Sequence, residues 1–235
     1  MQFDPPLVSA TLIRRYKRFL FDARLETGEE MTGFCPNTGS MRGLTDPGSR
    51  IWLSQHDSPS RKYRYGFELI EADNTLVGVN TALPNRLAVE AIKAGLVSDL
   101  AAYDAMRTEQ RYGENSRIDL LLSAPDRADC YVEVKNVHFI REQGLAEFPD
   151  SVTTRGAKHL HELAKLVDNG KRAVMLYVIQ REDCEALAIC ADLDPAYGRA
   201  FTAAIQRGVE AYAVTCAITP DSISPRCSVP VRITL

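Results

Sequence analysis

Residues 117–137, RIDLLLSAPDRADCYVEVKNV, decide the fold of the second half of the chain. Two apolar runs, RIDLLLSA and CYVEVKNV, have strand composition, and the polar PDRAD between them has the length of a hairpin turn. Glu133 and Lys135 stand two residues apart, so both side chains leave the same face of the second strand. The hairpin brings Asp119 opposite the Glu133 region. Buried charges are unfavourable unless they are paired or bind a metal, so these side chains are candidates for a functional site.

Two carboxylates and a lysine on one sheet face indicate a particular chemistry. Hard oxygen ligands of this kind hold Mg²⁺, which keeps several waters and also binds phosphate oxygens. The ion stabilises charge on the phosphate and helps to deprotonate a water, and a lysine can orient that water. We therefore predict an Mg²⁺ (or Mn²⁺) site with Asp119 and Glu133 as ligands and Lys135 as the assisting group. A partly solvated, purely structural ion cluster is the alternative.

The composition excludes several classes of protein. The chain has 235 residues, enough for one large domain or two small ones, with 45% hydrophobic and 25% charged residues. It has no apolar run of membrane-spanning length and no secretory signal at its N-terminus, so we expect a cytoplasmic protein with no membrane partner. The six cysteines form no C-x-x-C pair and none stands in zinc-site spacing to a histidine, so neither a disulfide framework nor a zinc site is expected. The sequence does not indicate the oligomeric state.

Basic residues are clustered although the net charge is −3. A mildly acidic chain argues against a basic coat but not against a local basic groove. Basic side chains interleaved with tyrosines suit a nucleic-acid backbone and its bases, whereas a solvated strand face better explains either cluster taken alone. The two clusters are RRYKR (Arg14, Arg15, Lys17 and Arg18) and RKYR (Arg61, Lys62 and Arg64).

The chain divides into two parts near residue 80. Residues 1–80 contain short apolar runs (LVSATLI, FLFDARL, RIWLSQ, YGFELIEA and TLVGVN) between turn signals, which predicts a small five-stranded barrel of OB or SH3-like type. In residues 81–235, Pro84 suits the first turn of a helix, and TTRGAKHLHELAKLVDNG is an amphipathic helix. RAVMLYVI is a central strand, DPAYGRAFTAAIQRG a further helix and VEAYAVTCAIT a strand. This order predicts an α/β domain with a mixed sheet.

The hairpin motifs resemble those of PD-(D/E)XK nucleases, with the aspartate in IDLL and the E-x-K element in EVK. Such short motifs are common by chance, but nearly the whole chain resembles the sugar fermentation stimulation protein A family. The segments that carry the resemblance include CPNTGSM, RKY, VNT…NRL, RIDLLL, CYVEVKNV, FPD-VT-RG-KHL-EL and RAV. The resemblance implies an N-terminal OB-like five-stranded β-barrel followed by a PD-(D/E)XK-like α/β domain with a mixed central sheet. It also implies sequence-nonspecific DNA binding and a regulatory link to sugar (maltose) metabolism.

The resemblance also assigns site residues. It places Asp119, Glu133 and Lys135 on the nuclease triad, adds the backbone carbonyl of Val134 as a metal ligand, and adds Glu90 from the preceding helix as a further acid. The DNA-binding residues predicted from it and from the basic clusters are Arg14, Arg15, Lys17, Arg18, Asn37, Thr38, Arg61, Lys62, Arg64, Arg155, Lys158 and His159.

Some of these residues keep a second interpretation. Lys158 could instead pair with Glu162 on the helix surface. The loop CPNTGSM could be a plain hairpin connection rather than an anion-binding turn. Of the histidines, His138 and His159 are expected near the site. The other two, His56 and His161, are expected on the surface.

Two functions remain open at this point. One is a Mg²⁺-dependent deoxyribonuclease, which has a chemical use for both carboxylates and the lysine. The other is a DNA-binding regulator without turnover.

Overall fold

A computed structural model describes residues 1–58, 61–112 and 116–233. The strands of its first part are β1 (Val8–Tyr16), β2 (Leu20–Leu25), β3 (Glu30–Phe34), β4 (Arg50–Gln55), β5 (Tyr65–Ala72) and β6 (Thr75–Gly78). They pair in the order β3-β2-β1-β4-β5-β6, and a parallel pairing of Phe34 with Gly66 joins β3 to β5. That pairing closes β1 to β5 into a five-stranded barrel, which confirms the predicted architecture of this part.

The five strands of the barrel are not quite the five predicted. The segment TLVGVN contains β6, which extends the sheet beyond the closed barrel, while β3 was missed. Its sequence, EMTGF, is short and largely exposed and lies between two turn signals. The barrel is tightly packed at Gly33, because a Cβ atom there would lie 2.3 Å from the ring of Phe21. The interior is apolar and includes the rings of Phe21 and Phe67, 5.1 Å apart.

The second part is an α/β domain. Its elements are α1 (Pro84–Lys93), α2 (Ser98–Ala101), β7 (Ala105–Tyr112), β8 (Ser116–Ala124), β9 (Arg127–Val137), β10 (Phe139–Glu142), β11 (Gly144–Phe148), α3 (Thr154–Asp168), β12 (Arg172–Ile179), β13 (Cys184–Ile189), α4 (Pro195–Gln206), β14 (Glu210–Thr219), β15 (Ser222–Val229) and β16 (Val231–Arg232). The main sheet has the order β15-β14-β12-β9-β8-β7, and a smaller sheet has the order β10-β11-β13-β16.

The main sheet is mixed, as predicted. β9, β12 and β14 run parallel, whereas β7, β8 and β15 are antiparallel to their neighbours. The edge strand β7 and the smaller sheet were not predicted. The β7 sequence, AMRTEQRY, is mostly exposed and has no apolar run, so it carries little strand signal.

Helices cover both faces of the main sheet. Side chains of α1 pack with Val132 and Val134 on one face, and side chains of α3 and α4 pack on the other. Because side chains alternate along β9, Glu133 and Lys135 leave its face towards α3. Within the described residues, none of the helices has the length and apolar character to cross a membrane.

Candidate metal and nucleic-acid site

The centre of the site is the carboxylate of Glu133 in β9. Its side chain is only 4% exposed. One oxygen, Oε1, accepts a hydrogen bond from Lys135 Nζ at 2.6 Å and another from His159 Nδ1. The other oxygen, Oε2, is buried and makes no hydrogen bond with any residue that the structure describes. A buried carboxylate oxygen without a partner is unusual and calls for an explanation such as an ion or a water.

Asp119 is held on the neighbouring strand by two donors. Strands β8 and β9 are antiparallel and Leu120 pairs with Val132, so Asp119 lies opposite Glu133. Asp119 Oδ2 accepts the backbone N–H of Val134 at 2.8 Å, and Oδ1 accepts Nδ2 of Asn85 at 3.0 Å. The orientation of this carboxylate is therefore fixed by β9 on one side and by α1 on the other.

The two carboxylates influence each other's protonation. Burial and the negative charge of Glu133 raise the pKa of Asp119, against the lowering effect of the Val134 N–H and Asn85. Burial would also raise the pKa of Glu133, but His159 and Lys135 outweigh it and lower that pKa below its ordinary value. A charged Glu133 thus lies close enough to Asp119 to disfavour a second negative charge, a conflict that a cation between them would relieve.

The residues fit a hard divalent cation. Glu133 Oε2 is an oxygen ligand with no hydrogen-bond partner in the part of the chain that the structure describes, and Asp119 supplies a second carboxylate. Among the described residues, no group of three or more His, Cys, Asp and Glu side chains is arranged to hold a metal. An ion at this point would therefore depend on the two carboxylates together with backbone and water oxygens. The carbonyl of Val134 stays a prediction for such a ligand.

Helix α3 supplies a residue that contacts the carboxylates directly. His159 is 12% exposed and donates to Glu133, and its role as a DNA contact stays a prediction. The Nε2 atom of His159 accepts a hydrogen bond from Arg155 Nε at 3.3 Å. The exposed guanidinium of Arg155 is therefore connected to the buried carboxylate of Glu133 through His159. Lys158 pairs with Glu162 at 3.5 Å, the surface pair that was one of its two interpretations.

Glu90, predicted as a further acid of the site, forms ion pairs in the structure, and its role at the site stays a prediction. Its carboxylate pairs with the Met1 amino group and with Arg86, each at 3.3 Å. Asn85 is the residue of α1 that reaches Asp119. An α-helix rotates by about 100° per residue, so two residues five positions apart point about 140° apart around its axis. Asn85 and Glu90 therefore leave α1 on different sides.

The first basic cluster divides into occupied and free side chains. Arg14 forms an ion pair with Asp22 at 2.8 Å. Arg15 donates to the carbonyls of Arg18, Asn37 and Gly39, so it supports a loop, and its role as a DNA contact stays a prediction. Lys17 and Arg18 are exposed in the β1–β2 turn and, within the described ranges, pair with no carboxylate.

The second cluster is exposed beside the β4–β5 connection. Arg64 pairs with Asp57 at 3.0 Å, and its guanidinium lies 5.8 Å from the ring centre of Tyr65. Lys62 lies 5.5 Å from the ring centre of Tyr63, and Arg61 is exposed. The alternation of basic and aromatic residues therefore places cations over rings on this face.

The loop CPNTGSM, in the barrel part of the chain, contacts the second domain through Asp150. Asn37 is buried and its Oδ1 accepts the N–H of Gly39, whereas Thr38 is exposed. The DNA contacts of both residues stay predictions. Ser40 Oγ donates to Asp150 at 2.7 Å, and the N–H of Met41 donates to the same carboxylate at 3.2 Å. A cleft of about 500 Å³ lies here, lined by Arg18, Thr38, Gly39, Ser40 and residues 148–153, which lead into α3.

The remaining histidines differ in burial. His138 is buried, with Nδ1 3.2 Å from the amide of Asn136 and Nε2 3.7 Å from Asp150. It supports the junction between the two parts. His161 is exposed as predicted, and His56 is half-buried beside the hydroxyl of Ser54.

Asn85 and Asp150 are the residues that the sequence did not reveal. Asn85 follows the helix-starting Pro84, where an asparagine usually indicates only a helix boundary. Asp150 follows Pro149 in a stretch that resembles any polar turn. Their roles depend on contacts with distant segments, and no local pattern records those contacts.

Comparison with known proteins shows similarity along the whole chain. The family model described as "SfsA N-terminal OB domain" matches residues 13–79, and "Sugar fermentation stimulation protein RE domain" matches residues 82–222. A sugar fermentation stimulation protein homolog of Allorhizobium ampelinum is 80% identical over all of both chains. The homolog of Agrobacterium fabrum is 67% identical over 95% of this chain and 94% of its own. The solved structure of Pyrococcus furiosus SfsA in complex with Ca²⁺ superposes with a TM-score of 0.87, at 26% identity, over 99% of this chain and 98% of that one.

Proposed function

The chain belongs to the sugar fermentation stimulation protein A family, and on that basis we propose that it binds DNA with little sequence preference and hydrolyses phosphodiesters. The proposed site consists of Asp119, Glu133 and Lys135 with one divalent cation, in the manner of PD-(D/E)XK nucleases. The observation that carries the proposal is the buried, unpartnered Oε2 of Glu133 beside a second carboxylate and a lysine.

The proposed cation is Mg²⁺ or Mn²⁺. The Pyrococcus furiosus relative was solved with Ca²⁺, and all three ions take oxygen ligands. When bound, the ion supplies charge stabilisation to a phosphate and lowers the pKa of a coordinated water. Asp119 and the free oxygen of Glu133 would hold it, with the carbonyl of Val134 as a proposed third ligand.

The side chains of this site divide the remaining work. Lys135 keeps its ammonium group 2.6 Å from Glu133, where it can donate a hydrogen bond to an attacking water or to a phosphate oxygen. His159 donates to Glu133 and helps to hold the carboxylate in one orientation, because it and Lys135 both contact Oε1. The neighbouring Arg155 is exposed and can contact a phosphate of the strand.

The proposed DNA-binding surface consists of exposed basic side chains. Lys17 and Arg18 lie in the exposed turn of an OB-type barrel, whose loops bind oligonucleotides in many such domains. Arg18 also lines the cleft that leads to α3 and therefore towards Arg155 and His159. This arrangement supports a strand path from the barrel to the carboxylates.

A second candidate function is DNA binding without turnover, linked to the regulation of sugar (maltose) metabolism. One observation favours it, because Lys135 and His159 already compensate the charge of Glu133 without an ion. A buried carboxylate that is already paired does not need an ion to balance its charge, which suits a protein that only binds.

The test is cleavage by the purified full-length chain in Mg²⁺, Mn²⁺, Ca²⁺ or EDTA. Single-stranded, duplex and branched DNA are compared, with Asp119→Asn as the site variant. Asp126→Asn is the matched control, because Asp126 is an exposed acid in the turn of the same hairpin. The nuclease proposal predicts metal-dependent cleavage that Asp119→Asn loses and Asp126→Asn keeps. Equal cleavage by Asp119→Asn would exclude this site. Binding of all DNAs without cleavage would favour the second candidate.

A further inference from the structure

One side chain links three elements around Asp119. Nδ2 of Asn85, in the first turn of α1, donates to Asp119 Oδ1 at 3.0 Å and to Glu109 Oε1 at 3.3 Å. A single amide nitrogen therefore lies within hydrogen-bonding distance of a carboxylate on β8 and of one on β7. An amide has two N–H donors, so it can satisfy both carboxylates at once.

The backbone of β7 is shaped to allow this contact. Thr108 pairs with Leu120 and Gln110 with Ile118, which leaves Glu109 opposite Asp119. Glu109 has a φ of +53°, in the left-handed region that a glutamate rarely adopts within a strand. A strained residue persists only where its surroundings hold it, and here the amide of Asn85 contacts the side chain of Glu109.

The side chain of Asn85 does not serve its own helix. The residue before α1, Leu83, makes no side-chain cap, and Pro84 occupies the first turn. Asparagine is a poor helix former except at caps. The amide of Asn85 is instead directed at the two carboxylates, which points to a role in the site rather than in helix formation.

We propose that Asn85 is the positioning residue of the site, and this inference rests on the proposed function. It holds Asp119 in the orientation in which Oδ2 receives the Val134 N–H and Oδ1 is turned to α1. It also separates Asp119 from Glu109, whose charge would otherwise oppose that of Asp119 directly. Without Asn85, the carboxylate of Asp119 keeps one donor and can rotate about it.

The test compares Asn85→Ala with Glu109→Ala and with Arg86→Ala. Arg86 follows Asn85 in the same helical turn but is exposed and pairs with Glu90, so it controls for effects on α1. Crystal structures give the side-chain dihedral of Asp119. Calorimetry gives the affinity of the DNA-free protein for Mn²⁺, and cleavage assays give kcat and KM separately.

The inference predicts a rotated Asp119 side chain in Asn85→Ala and an Mn²⁺ affinity lower by about 10–100-fold, the usual effect of losing a group that orients a metal ligand. kcat falls with KM for DNA unchanged. Glu109→Ala gives a smaller loss, because Asn85 still holds Asp119, and Arg86→Ala matches the wild type. An unchanged Asp119 dihedral, or an Mn²⁺ affinity within about twofold of the wild-type value, overturns the inference.

Failure of the proposed function gives a different result. A wild-type protein that neither binds Mn²⁺ nor cleaves DNA refutes that function. The Asp119 dihedral in Asn85→Ala then decides by itself whether Asn85 positions the carboxylate.

Discussion

Replacing Asp150 by Asn is predicted to weaken the junction between the barrel and the second domain. Asp150 accepts Ser40 Oγ at 2.7 Å and the Met41 N–H at 3.2 Å, both from the barrel loop. Its side chain is 19% exposed, and the imidazole of His138 lies 3.7 Å away. Asparagine has nearly the same size but carries no charge, and its single acceptor oxygen can take the place of Oδ2, where both bonds end.

The expected loss follows from these contacts. A hydrogen bond to a charged acceptor contributes about 1.5–3 kcal/mol, and one to a neutral acceptor contributes about 0.5–1.5 kcal/mol. Two bonds weakened in this way give about 2 kcal/mol lost from the free energy of unfolding at pH 7. Equilibrium unfolding in urea measures this loss.

The loss should depend on pH in one direction. Burial would raise the pKa of Asp150, but His138, Ser40 and Met41 outweigh it and hold that pKa far below its ordinary range. A carboxylate with a depressed folded pKa contributes stability above its unfolded pKa of about 4 and loses it as the pH falls towards the folded value. The difference between wild type and Asp150→Asn should be constant from pH 7 to about pH 5 and shrink below pH 4.

Ser151→Ala is the matched control, because Ser151 donates to the same carboxylate from within its own loop. It should lose much less stability than Asp150→Asn. If Asp150→Asn unfolds within about 0.5 kcal/mol of the wild type at pH 7, or if the difference grows on acidification, the account of this junction is refuted.

Three further predictions concern the site, the surface and the barrel. Lys135→Met should lower kcat for DNA cleavage by about 10²–10⁴-fold, because its ammonium acts on water or phosphate, while the two carboxylates still bind Mn²⁺; complete loss of Mn²⁺ binding would contradict this. Replacing Lys17 and Arg18 together by Ala should reduce the slope of log K against log salt by about 2, and an unchanged slope would remove that turn from the DNA surface. Gly33→Ala should destabilise the barrel by about 1–3 kcal/mol in thermal unfolding, because its Cβ would lie 2.3 Å from the Phe21 ring; an unchanged melting temperature would contradict this.

Local patterns predicted the elements that bury regular apolar faces. The hairpin of β8 and β9 could be read from its alternation, and the pairing of Leu120 with Val132 agrees with an Asp119 that faces Glu133. The N-terminus of α4 was similarly readable, since Asp194 accepts the N–H of Tyr197 as a cap should. These features depend on neighbours in the sequence.

The features that the sequence did not predict depend on contacts between distant segments of the chain. β7 is an exposed edge strand whose residues gain little from burial, so its strand character comes from pairing with β8. Arg15 looks like any basic surface residue until the loop of Asn37 and Gly39 folds against it. Glu90 and Asn85 differ in role only because of the direction in which each leaves α1, which is set by how that helix packs.

The most direct test of the central claim is Mn²⁺ binding by the DNA-free, full-length protein, measured by calorimetry and by the loss of the free-ion electron paramagnetic resonance signal. We expect one strongly bound ion in the wild type and in Asp126→Asn. Glu133→Gln and Asp119→Asn should each lose it while remaining folded by circular dichroism. A wild-type protein that binds no Mn²⁺, or a Glu133→Gln variant that binds it equally well, would contradict the claim that these two carboxylates form a cation site.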